Sequence, residues 1–318
     1  MSERDKMADW HEGGLLLLLA LLWGMPYALT KIALTTIPPV TLVAARVSLA
    51  AATLWLVVLL RRKGIPELRE LIRPIFIQGA VACVIPYTLI AFGQQSVDSA
   101  LAAILNSTAP LFVCLVSVAW IRQEPLTVER WFGVMVGLSG VVMIAGASAL
   151  LGLGRTMAGQ LAIVVATFSS AISAIYGRRF AAIAPEITAA GTLTSAALVL
   201  VPLCFLVEAP LSVAPSAASL AALAVNGIVA TALGFVVYFR LIRTLGSMGV
   251  ASVGYLKPGF GVLIGCTLMG ESVTWTMGAG LIAILIGVAT INRRTSGPGP
   301  EPIAASATEA ALILARRS

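Results

Sequence analysis

The sequence predicts an all-α, polytopic membrane protein: ten transmembrane helices arranged as two inverted five-helix repeats. Three observations predict it. Apolar runs of about 20 residues, the length a helix needs to cross a bilayer, recur from end to end of the chain. The stretch opening at Ser99 (SALAAILNSTAPLF) returns in altered form at Ser247 (SMGVASVGYLKPGF). Basic residues outside the runs, finally, collect on alternate connections. A soluble fold is excluded, because a chain 59% hydrophobic and 11% charged has no polar exterior to cover such a core. A β-barrel is excluded too, since alternating segments of about ten residues are absent.

Residues 1–12 are a charged head, read as a cytoplasmic tail. No small-residue cleavage site follows the next apolar run, so that run is a first span and not a signal peptide. The first repeat covers 13–151, with spans at 13–34, 40–60, 75–92, 99–121 and 129–150. A glycine-rich linker, 152–158, separates it from the second repeat at 159–291. There the spans are 159–177, 187–207, 216–239, 248–269 and 274–291. The tail 292–318, rich in Pro, Gly and Ser at its start, reads as disordered and cytoplasmic.

The duplication lies in register as well as composition. Ser99, Ala103 and Pro110 recur as Ser247, Ala251 and Pro258 at one offset. After one deletion, Glu124, Thr127, Gly133 and Gly140 recur as Glu271, Thr274, Gly280 and Gly287. With the N-terminus inside, every basic residue outside the spans lies on the inner side except Arg155. Both termini are therefore expected in the cytoplasm. Five spans per half is an odd number, so the second half enters the membrane upside down, an arrangement that supplies two gates around one central site. The same loop charges account for the net charge of +7, and no nucleic-acid partner is expected.

Candidate functional groups sit at mid-depth. Trp23 lies away from the interfacial belt where tryptophan usually sits. Gln78, Tyr87, Asn106, Ser107, Tyr176, Asn226, Tyr238 and Tyr255 are the other candidates for the substrate cavity. Each is also the type of residue that joins helices by hydrogen bonds. Three cations fall within spans: Lys31, Arg46 and Lys257. They serve a gate or the substrate's charge, or snorkel to the interface. Pro110 and Pro258 each remove a backbone donor, so they either break helices at the cavity or kink them for packing. Glu124 and Glu271 stand at equivalent span exits, where capping the next helix or pairing with a basic neighbour is the expected structural role. Gly133 with Gly137 and Gly261 with Gly265 mark close helix packing.

Other chemistry is thinly supported. His11 is the only histidine, and Cys83, Cys114, Cys204 and Cys266 show no paired spacing, so neither metal nor disulfide is expected. No HExxH, GxSxG or P-loop occurs, and titratable groups do not cluster within the spans; the chain is not expected to be an enzyme or to need a cofactor. No carboxylate lies clearly inside a span, so no proton relay is legible.

One ordered set of residues resembles a known family. Trp23, Gly24, Lys31, Pro39, Arg46, Pro110, Glu124, Gly133 and Gly140, followed by Pro258, Glu271, Gly280 and Gly287, resembles the EamA-type branch of the drug/metabolite transporter superfamily over about 1–292. The look is most similar to bacterial aromatic amino-acid exporters. The second half departs from the first: Phe168 and Ser169 stand where Trp23 and Gly24 do, and no arginine matches Arg46. The resemblance implies an inner-membrane transporter that exports amino acids or related small metabolites by alternating access. Because both halves are fused, a functional monomer in the lipid bilayer is expected. The alternatives are a carrier of phosphorylated sugars or nucleotide-sugars and, from other classes, a channel or an intramembrane enzyme.

Overall fold

A computed structural model describes residues 3–61, 70–117, 128–150, 154–251 and 253–292. All regular structure among them is helical. The first half comprises α1 (Glu3–Ala33), α2 (Pro39–Leu60), α3 (Ile72–Gly93), α4 (Ser99–Val116) and α5 (Val128–Leu150). The second comprises α6 (Gly154–Tyr176), α7 (Pro185–Val207), α8, α9 (Val253–Met269) and α10 (Trp275–Asn292). Helix α8 runs through three consecutive segments, Ala217–Ala224, Val225–Leu233 and Gly234–Ala251. Seven of these helices are long and apolar enough to cross a membrane. The others, α5, α9 and α10, carry the shorter apolar stretches Trp131–Ile144, Leu256–Met269 and Trp275–Thr290.

Three boundaries differ from the sequence reading. The charged head from Glu3 is wound into α1 itself, because Glu, Arg, Lys, Met and Ala favour helix and no breaker precedes Gly13. Residues 154–158 of the linker form the first turn of α6. The connection expected after 239 is helical too, carrying Arg240 and Arg243 on α8 as far as Ala251. The tail beyond Asn292 and Glu124 lie outside the described residues, as does the side chain of Tyr255.

Helices α3 and α8 each contain a π-helical segment, Ala80–Val84 and Val225–Leu233. In α3 the wide turn leads directly into Pro86, which has no N–H to give and would crowd a regular α-turn. In α8 no proline is present; there Thr231 Oγ1 donates to the carbonyl of Asn226 five residues back at 2.7 Å, following the wide turn. Helix α4 is interrupted at Ser107 and Thr108, between Ser99–Asn106 and Ala109–Val116. Pro110 just beyond cannot bond to Asn106, and Ser107 and Thr108 donate their hydroxyls to the carbonyls of Ile104 and Leu105. Pro258, by contrast, sits within α9, which continues through it.

The bundle is held by helix pairs drawn from both halves. Helix α5 packs on α10, α2 on α7 and α4 on α9; α1 packs on α8 and α9, and α6 on α3 and α4. The α5–α10 contact is glycine against backbone: a Cβ at Gly287 would fall 2.4 Å from the carbonyl oxygen of Gly133. At the α4–α9 contact a Cβ at Gly261 would fall 2.4 Å from that of Ala103. Without a hydrophobic drive between helices in lipid, such close approach supplies the dispersion and packing that holds them. The periphery is apolar, with Leu60, Leu206, Leu268 and Trp275 each at least 70% exposed, a surface that lipid covers. The chain is a multi-pass membrane protein.

Candidate functional site

A cavity of about 150 Å³ opens between the halves, walled by α1, α2, α3, α4, α6, α8 and α9. It runs from Thr30 and Ile90, about a turn below one end of the bundle, to Ala174 and Val250 towards the other. Its walls are built by close backbone contacts. A Cβ at Gly24 would lie 2.7 Å from Phe260 Cβ and 3.1 Å from the carbonyl oxygen of Lys257, so α1 presses directly on α9 beside the lysine. A Cβ at Gly234 would lie 2.6 Å from Trp23 Nε1, so the indole lies against bare backbone of α8. The Trp23 ring centroid is 4.9 Å from that of Tyr238 and 6.2 Å from that of Phe235. Tyr27 and Tyr87 complete the aromatic lining.

Two buried cations reach this cavity. Arg46 of α2 is 7% exposed; its Nε donates to Thr231 Oγ1 at 2.7 Å, and its guanidinium carbon lies 4.0 Å from the Tyr87 ring centroid. This stacking suits a planar, weakly hydrated cation in a way a lysine could not match. Lys257 of α9 is equally buried and donates to Asn106 Oδ1. Asn106 passes its own amide to Thr167 Oγ1 at 2.9 Å, which fixes the orientation of its carbonyl. The partners of both cations are neutral, and among the described residues no carboxylate lines the cavity. A unit negative charge about 4 Å from one cation gains about 4 kcal/mol at an effective dielectric near 20. The arrangement attracts an anion.

Of the residues singled out by sequence, Trp23, Tyr87, Asn106, Tyr238, Arg46 and Lys257 line this one cavity. The following lie elsewhere. Gln78 is one layer behind, donating to Ser173 Oγ at 3.0 Å, and Asn226 donates to Thr30 Oγ1 at 3.1 Å. Ser107 is spent on the α4 interruption, and Pro110 packs on Gly254. Tyr176 leaves the cavity to accept from Arg179 Nη1 at 2.6 Å. Lys31 sits at the bundle end, donating to the carbonyls of Gln94 and Val97 with Asp98 3.7 Å away.

Glu271 caps a helix, but not the one that follows it. Its carboxylate accepts from the backbone N–H groups of Ser99 and Ala100, both at 2.8 Å, at the start of α4. Glu208, unremarked in the sequence, does the same for α2: it accepts from Val40 and Thr41 N–H at 3.0 and 2.7 Å and from the Thr41 hydroxyl at 2.7 Å. The available signal was indirect. Helix α2 starts behind Pro38 and Pro39, which offer no side-chain cap, so an outside acceptor was needed. Also missed were Tyr27, Thr30 and Phe235. The aromatic pair had a signal, since Tyr27 is one turn from Trp23 and Phe235 one turn from Tyr238.

Comparison with known proteins agrees with this architecture. The model of the EamA-like transporter family matches the chain twice, over residues 13–146 and 157–293. The uncharacterized inner membrane transporter YedA of Escherichia coli K12 is 26% identical over 285 residues, covering 88% of this chain and 90% of its own. The uncharacterized transporter YoaV of Bacillus subtilis is 24% identical, covering 84% of this chain and 92% of its own. A solved crystal structure shares the fold with a TM-score of 0.64 at 22% identity, covering 89% of this chain and 97% of that one. Two family matches, one on each side of residues 147–156, together with relatives that align along most of their length, lead to one conclusion: this chain belongs to the EamA-like transporter family.

Proposed function

We propose that this protein is an inner-membrane transporter that exports amino acids or related small metabolites by alternating access, with ten spans forming two inverted halves. The observation that carries the reading is the cavity walled by helices of both halves and lined by Trp23, Tyr87, Tyr238, Arg46 and Lys257. A site at the interface of two repeats is where a rocking motion exposes substrate first to one side and then to the other. The packing pattern supports paired halves. Exchanging α1–α5 for α6–α10 turns the α1–α9 contact into α6–α4 and the α1–α8 contact into α6–α3, and leaves α5–α10 and α2–α7 as they are. The π segments of α3 and α8 are exchanged in the same way.

Aromatic rings enclose the substrate in this reading, and the cations hold its carboxylate. One chain carries both halves, so the working unit is a monomer. The end of the bundle that carries Arg61, Arg178 and Arg179 faces the cytoplasm in this reading, which the preference of basic residues for that side supports. Counterflow in proteoliposomes tests the reading. Vesicles loaded with an unlabelled amino acid accumulate the labelled one transiently, and saturably, through a carrier. No exchange across a broad panel of amino acids and their deaminated relatives rejects the substrate class, and non-saturating flux indicates a channel.

A further inference from the structure

We infer that the cavity selects small organic anions, an aryl monocarboxylate being the fitting type, over the zwitterion or the cation built on the same carbon frame. This narrows the transport reading above and rests on the cavity being the substrate's seat. The geometry points to it through four observations.

First, the two charged groups that line the cavity among the described residues, Arg46 and Lys257, are both positive, and they come from opposite halves of the chain. Buried charge is costly unless it is paired, and among the described residues their partners are neutral groups and include no carboxylate. Second, both cations are held in place yet incompletely used. Arg46 spends Nε on Thr231, while its two Nη groups have no hydrogen-bond partner among the described residues; the planar fork suits a carboxylate. Lys257 is steered by the carbonyl of Asn106, itself oriented through Thr167, and its ammonium has donors to spare.

Third, a substrate ammonium has no anionic seat among the described lining residues. No carboxylate lines the cavity among the described residues, the Asn106 carbonyl is taken by Lys257, and the Tyr87 ring face is taken by Arg46. An amino group would enter a site that already holds two positive charges. Fourth, the wall also carries an aromatic cluster, with Trp23, Phe235 and Tyr238 in mutual contact, beside the hydroxyl side chains of Thr30, Ser170 and Ser173. A cavity of about 150 Å³ accommodates a ring of benzene's size, and aromatic walls favour edge-on or offset contact with such a ring.

The test uses the purified full chain and three probes on one frame: 3-phenylpropanoate, phenylalanine and 2-phenylethylamine, at a pH where the last two carry their ammonium. Calorimetric titration should rank them in that order. The propanoate is expected to bind at least tenfold more tightly than phenylalanine, and the amine more weakly than either. Arg46→Gln and Lys257→Gln should each weaken propanoate binding about tenfold and narrow its lead over phenylalanine. Equal or tighter binding of phenylalanine overturns the inference, as does a lead that survives both substitutions. Should either variant fail to fold, the ranking on the unmodified protein still decides. Counterflow separates the two readings: phenylalanine exchange without propanoate exchange leaves the transporter standing and removes the anion preference, whereas no binding and no flux of any probe removes both.

Discussion

At the end of the bundle formed by residues 33–39, 94–98, 208–216 and 270–274, carboxylates from the second half sit on helix N-termini of the first. Glu208 takes two backbone N–H groups and a hydroxyl at the start of α2, and Glu271 does the same at the start of α4. Around them Thr36 donates to Ser219 Oγ at 2.7 Å, and its Oγ1 accepts the N–H of Ser216. At the opposite end the ion pair between the halves, among the described residues, is Arg61 with Glu186, at 3.4 Å and with the arginine side chain 63% exposed. The difference lies in what each carboxylate meets. A helix N-terminus offers several fixed, unsatisfied donors and the positive end of the macrodipole, and neither Pro38 nor Asp98 gives its own helix a side-chain cap. An exposed arginine offers a flexible, hydrated partner whose pairing contributes little. One end is thus latched at fixed geometry, whereas the ion pair described at the other is exposed and weak.

The largest effect is expected from unlatching both helices. In a cysteine-free background, Thr30→Cys places a thiol that is buried in this state, about one turn below the latched end. Adding Glu208→Ala with Glu271→Ala removes two caps, each worth about 1–2 kcal/mol. Labelling of that thiol by an impermeant maleimide added from the latched side should then rise by about 30-fold or more. Unchanged labelling would mean that the carboxylates serve folding and not closure. A smaller effect follows from Thr41→Val, which leaves Glu208 its two N–H partners and deletes one hydroxyl bond. A loss of about 1 kcal/mol predicts roughly fivefold faster labelling. The smallest belongs to Arg61→Gln at the loose end, where labelling from either side should stay within about twofold. A large change there would erase the contrast between the ends.

Much of the site could be read from the chain before folding. Trp23, Arg46 and Lys257 stood out because indole at mid-span and charge within apolar runs are costly without a purpose, and the cavity gathers all three. Gln78 and Asn226 stood out for the same reason yet bond across helix contacts behind the wall. In a soluble helix the polar face reveals which way each residue points. Here the lipid-facing and core-facing sides are both apolar, so the rotation of each helix about its axis leaves almost no trace in the sequence.

The sequence by itself determined the helical class, the recurrence of the Ser99 stretch at Ser247, and the residue types available at mid-depth. These follow from run length, register and the energetic penalty of polarity in hydrocarbon, all of them local or additive properties. Only the tertiary structure decided that Glu271 caps α4 and not α10, that Glu208 caps α2, and that Arg46 and Lys257 face one space. Those are contacts between residues far apart in the chain. They are set by how closely glycine-bearing helices such as α1 with α9 approach, a fit that depends on both surfaces at once.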